Sequence, residues 1–231
     1  MTKISKIIAF AKDKRVLIVI ALLALAVALF FEALSIHNET FYKDFVVSSL
    51  FPEIIGVVAE LLFVYLIFSY IDHNRHQRSI LENERRSRSY LRFFIVDLLR
   101  KEQILNRCIE LNSDFKMFKG DPEKFKFYDF QSEFNGKVIN TLSTVVQECE
   151  TESVCNHIRS HVKVDLGAFQ AMLPVVSKVS TSHFKLWQRT LYFMSMIASG
   201  ENTIGNTKKV LARIRSFDKI TARQFVIKQR T

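Results

Sequence analysis

Four side chains able to hold a metal lie in one short stretch, Cys149, Cys155, His157 and His161 of CETESVCNHIRSH. His157 and His161 are one helical turn apart, so on a helix they share a face and could grip one ion together. The spacing C-x5-C-x-H-x3-H nevertheless lacks the CxxC knuckle of structural zinc sites. A plainer reading places Cys149 in a core and both histidines on a solvated face, and Cys108 reads as a small core residue. No metal or other cofactor is expected. Three cysteines, all beyond residue 100, supply no even-numbered disulfide framework.

A second set of chemically capable residues is acidic and sits in apolar surroundings. Glu53 and Glu60 fall within FPEIIGVVAELLFVYLIFSYI, residues 51–71, and Glu32 falls within VLIVIALLALAVALFFEALSI, residues 16–36. Glu32 and Glu53 lie near one boundary of their stretches, where a carboxylate reaches headgroups or water. Glu60 lies about 12 Å in from that boundary by helical rise. A charge at that depth costs roughly 2.5 kcal/mol or more, so it should be protonated, paired or facing water. Glu53, Gly56 and Glu60 share a helical face, and Gly56 lets another helix come close. A ring of such carboxylates in an oligomer would line a cation path; a neutral Glu60 bonded across a helix interface would act as glue.

The third set is basic. Arg75, Arg78, Arg85, Arg86 and Arg88 crowd the stretch after the second apolar segment. Near anionic headgroups each would contribute about 1 kcal/mol. Lys208, Lys209, Arg213 and Arg215, followed by Lys219, Arg223, Lys228 and Arg230, make the C-terminal stretch an electrostatic footprint for phosphates. Its partner could be nucleic acid, a nucleotide or the membrane itself; the alternative is a row of solvated cations.

The elements that must position these groups are helices. Over 231 residues the chain has 6 glycines and 3 prolines, too few for a turn-rich all-β fold. Each 21-residue apolar stretch would rise roughly 31 Å as a helix, the thickness of a hydrocarbon core. Five cations precede residue 16, one lies between 16 and 71, and arginines follow, so both termini are expected in the cytoplasm with a short loop outside. No small-residue cleavage site follows the first stretch, which therefore reads as an uncleaved span.

The predicted organisation is all-α: an amphipathic basic lead-in (1–15), a two-helix transmembrane hairpin (16–71, spans 16–36 and 51–71), a basic stalk (72–90) and a cytosolic bundle of four or five helices (91–231). Leu91, Phe94, Ile95, Leu98, Leu105 and Cys108 repeat at helical spacing. Asn112 to Gly120 reads as a loop. Asp121, Pro122 and Glu123 read as a helix start, leading into Phe127, Phe130, Phe134, Val138 and Leu142 on one face. Further helices are predicted after Thr151, interrupted at Pro174; from a Ser182 cap to Gly200; and from about Thr203 to Phe217.

The signatures GxGxxG, GxxxxGK[ST], HExxH and GxSxG are missing, so no enzyme is expected. In outline, through the apolar hairpin, the arginine stalk and the helical unit, the chain resembles the two-transmembrane effectors of bacterial anti-phage loci, such as retron and cyclic-nucleotide signalling systems. The resemblance implies an inner-membrane oligomer that breaches the membrane barrier on a cytosolic trigger, a nucleotide or nucleoprotein, and arrests growth in abortive infection. The alternative is a non-conducting membrane anchor that recruits a nucleoprotein or another protein through the basic bundle.

Overall fold

The computed structural model describes residues 51–127 and 132–224. The expected lead-in, the span 16–36 and hence the two-helix hairpin lie outside the described residues, as do Phe130 and residues 225–231. All regular structure among the described residues is helical, without strands. The chain divides into two compact units, Met1–Arg75 and His76–Thr231, and each is described by itself.

Helix α1 (Phe51–Arg100) begins in the first unit. Among the described residues it is the one helix long and apolar enough to cross a membrane. Its apolar window is unburied: Phe63 is 66% and Phe68 67% exposed, with Val57, Leu61 and Val64 also open. Apolar surface on this scale calls for a cover other than water.

The second unit is the helical bundle. It comprises the later part of α1, then α2 (Glu102–Leu111), α3 (Ser132–Glu148), α4 (Glu152–Ala171), the short α5 (Leu173–Ser177), α6 (Thr181–Ser199) and α7 (Thr203–Gln224). Phe94 to Leu99 is buried at every position, Asp97 included. Burial at every position means that neighbouring elements enclose this segment on all sides. The rest of the core is striped: Val138, Leu142 and Val145 from α3, Val154, Ile158 and Val162 from α4, Val210, Ile214 and Phe217 from α7.

Trp187 joins three helices. Its ring stacks on Phe169 of α4 at 5.2 Å and meets Phe217 of α7 at 6.2 Å, and its indole N–H donates to the Phe169 carbonyl at 3.0 Å. That contact satisfies the one polar atom of the largest buried side chain.

Helix ends follow local chemistry. The Thr151 hydroxyl accepts the Val154 N–H and starts α4. Pro174 marks the break that separates α5 from α4. Helix α6 is capped by Ser180 rather than by the expected Ser182: the Ser180 hydroxyl accepts the His183 N–H, and Ser182 is already inside the helix. Gly200, at φ 89°, closes α6, with Glu201 N–H reaching the Met196 carbonyl at 2.9 Å and Gly200 N–H the Ile197 carbonyl at 3.0 Å.

Two segments depart from expectation. The predicted loop at 112–120 contains a 3-10 turn, Ser113–Phe118, begun by Asn112 and burying Phe115 and Phe118 completely. Asp121 does cap a helix start, but only the single 3-10 turn Pro122–Lys124, and α3 begins at Ser132. The physical reason lies in Arg92, which donates to the main-chain carbonyls of Glu123 and Phe125. Those carbonyls are the ones a continuing α-helix would need for its own ladder.

Candidate functional site

The acidic face of α1 keeps the register expected of it. Glu53, Gly56 and Glu60 are all exposed. Val58, Leu62, Tyr65 and Ser69 are half-buried and recur at helical spacing. At about 100° per residue, these two rows lie on opposite sides of the helix. The carboxylates thus lie opposite the half-buried row.

The arginines expected to meet headgroups divide by burial. Arg75, Arg78, Arg85 and Arg86 are exposed, and Arg86 pairs with Glu82 at 2.7 Å. Arg88 is 5% exposed and belongs to the bundle interior, so it leaves the row of cations available to a membrane surface. One turn of helix explains the difference: Ser87, Arg88, Leu91, Phe94 and Ile95 lie on the packed side of α1.

Around Arg88 a polar centre forms that sequence reasoning did not foresee. Its Nε donates to Glu84 Oε1 at 2.6 Å, and its Nη1 lies 3.6 Å from Asp218 Oδ1 of α7. Glu84 Oε1 also accepts from the Thr221 hydroxyl at 2.8 Å. His183 Nε2 sits 3.0 Å from Thr221 Oγ1, and its Nδ1 2.7 Å from Ser180 Oγ. Because the Thr221 hydrogen goes to Glu84, its oxygen accepts from His183 Nε2–H; the Ser180 hydroxyl then donates to Nδ1. This chain of donors fixes the neutral Nε2–H tautomer. Burial first, and the Arg88 cation second, push the imidazole down to about 4. Asn135 of α3 reaches Asp218 at 3.4 Å. Glu84, Arg88, His183, Asp218 and Thr221 are each at most 5% exposed. No reactant can approach such groups; they bind α1, α3, α6 and α7 to one another.

The histidine stretch takes a different partner from those its sequence suggests. His157 Nε2 meets the Asp97 main-chain carbonyl at 2.9 Å, and His161 Nδ1 lies 3.6 Å from Asp97 Oδ1. Asp165 hydrogen-bonds Asp97, and burial together with that neighbouring carboxylate lifts its pKa to about 6. The cavity they share with Phe94 and Val162 is about 10 Å³, room for one water. Cys149 and Cys155 are free thiols, pushed upward mainly by burial. Among the described residues no three potential ligands converge on a metal position.

The four C-terminal cations separate into two pairs around α7. Lys208 and Arg215 are two turns apart on the side facing α3, where Lys208 donates to Gln147 Oε1 at 2.5 Å. Lys209 sits 5.2 Å over the Phe193 ring of α6, and Arg213, one turn on, follows that second side. Helix α7 also runs to Gln224, longer than the expected end at Phe217, which brings Lys219 onto the Lys208 side and leaves Arg223 between the two. Lys208 with Arg215, and Lys209 with Arg213, thus occupy two sides of one basic helix. No protein-family model, curated protein or solved structure matches the chain.

Proposed function

We propose that the protein is a non-enzymatic membrane effector that works as an oligomer and breaches the membrane barrier when its helical unit receives a cytosolic trigger. The observation that carries this reading is the opposition of the two rows on α1. Glu53, Gly56 and Glu60 are exposed on the side away from Val58, Leu62, Tyr65 and Ser69. A carboxylate left on an apolar helix surface is costly in lipid, whereas in a shared, hydrated interior it lines a cation path. Gly56 between the two acids allows a second copy to approach closely. The unburied apolar stretch of α1 supports its placement in a bilayer.

In this reading a span at 16–36 pairs with α1 as a hairpin in the bacterial inner membrane, with both termini cytoplasmic. The outline resemblance to anti-phage effectors suggests growth arrest during infection as the outcome. Expression of the full chain in bacteria under a voltage-sensitive dye tests the proposal. Depolarisation that Glu60→Ala abolishes, at equal protein level in the membrane, is the expected result. Equal depolarisation by Glu60→Ala would remove the carboxylate path. No depolarisation by the native chain, with and without phage challenge, would overturn the effector reading in favour of a non-conducting anchor recruiting a nucleoprotein or protein partner.

A further inference from the structure

We propose that the groove between α3 and α7 binds a phosphate-bearing small molecule of about mononucleotide size. The groove encloses about 310 Å³, the lower end of the roughly 300–1,000 Å³ typical of small-ligand sites. Arg215 and Lys219 line it, and no acidic side chain does. They stand one helical turn apart on α7, a spacing suited to an anion carrying more than one charge.

Arg215 is the key group. It is half-buried in the groove lining, and because a guanidinium can only donate, it calls for acceptors that a ligand can supply. The planar fork of arginine matches phosphate oxygens two at a time. From α3, Asn140 and Ser143 add an amide and a hydroxyl to the same lining. Ser216 does not add a donor, because its hydroxyl already donates to the Ala212 carbonyl at 2.9 Å. Ala212 and Ile139 complete an apolar wall for the organic part of a ligand.

The groove would give the trigger of the proposed effector a chemical class, and in that respect rests on the effector reading. Binding itself requires neither conduction nor a membrane, so the two can fail separately. The test uses the full chain in dodecyl maltoside, a detergent without phosphate, at low ionic strength. ATP and pyrophosphate are titrated calorimetrically, and Trp187 fluorescence reports thermal unfolding. Saturable binding is expected, with ATP tighter than pyrophosphate. Arg215→Ala and Lys219→Ala should each weaken ATP by about ten-fold or more, and Lys209→Ala by less than about two-fold. Lys219 is exposed, so its replacement keeps the test valid if Arg215→Ala unfolds. Absence of saturable binding, or equal losses for Lys219→Ala and Lys209→Ala, would overturn the site. Pyrophosphate binding as tightly as ATP would overturn the organic part of the assignment, and a single-stranded oligonucleotide outcompeting ATP would overturn the small-molecule class.

Discussion

Arg86 and Arg88 pair with glutamates four residues earlier, at 2.7 Å and 2.6 Å, and differ chiefly in burial. Arg86 and Glu82 are 62% and 64% exposed, Arg88 and Glu84 only 6% and 3%. Replacing Arg86 by Met should therefore cost less than about 0.5 kcal/mol, the scale of an exposed helical pair. Replacing Arg88 by Met keeps most of the stem but leaves Glu84 and Asp218 buried without that cation. Such a loss costs about 3–5 kcal/mol, a large share of the roughly 5–15 kcal/mol that holds a domain folded. The assay is urea unfolding of the full chain in detergent, followed through its single tryptophan, Trp187, which is fully buried. Adding Glu84→Gln to Arg88→Met should recover part of the loss, because one of the stranded charges disappears. An Arg88→Met cost below about 1 kcal/mol, or one equal to that of Arg86→Met, would refute the assignment of this centre as the polar core of the bundle.

Two further outcomes follow from the same geometry. His183 is held neutral down to about 4 against an ordinary 6.5, so the unfolded chain takes up its proton first and stability is lost as pH falls through that window. The full swing is about 3 kcal/mol, and His183→Gln should have a correspondingly shallower stability profile between those two pH values; identical slopes would contradict a buried neutral imidazole. Gly200 adopts φ 89°, and a Cβ there would stand 3.3 Å from the Arg159 guanidinium. Gly200→Ala should cost about 1–2 kcal/mol by the same urea assay, and no change would mean that the α6 terminus readily adopts another conformation.

The helical phases were legible because burial in a bundle imposes a 3.6-residue period: Val138, Leu142 and Val145 are buried while Lys137, Asn140 and Thr144 are exposed. Gly200 was legible because a left-handed helix end selects glycine. The caps Ser180 and Ser182 could not be separated in advance, since either hydroxyl could start the same helix. The one-turn helix after Asp121 was mistaken for a long one because its stop signal is Arg92, about thirty residues earlier in sequence. Of the candidate basic residues, type was readable but company was not. Spacing can place Arg215 and Lys219 on one side of α7, while Asn140 and Ser143 arrive from a helix some seventy residues away.

The sequence by itself determined the all-helical class, the apolar stretch with its Glu53–Gly56–Glu60 face, and the basic C-terminal helix. Each is a property of residue type and local period. Only the tertiary structure decided which charges are inside. Glu82-x3-Arg86 and Glu84-x3-Arg88 carry the same local signal, and the 200° rotation that two residues make around a helix puts one pair in water and the other beside Asp218, Thr221 and His183. The apolar phase of Leu91 and Ile95 marks which side of α1 packs, but burial is a relation between elements distant in sequence, and only the fold brings Asp218, Thr221 and His183 to that side.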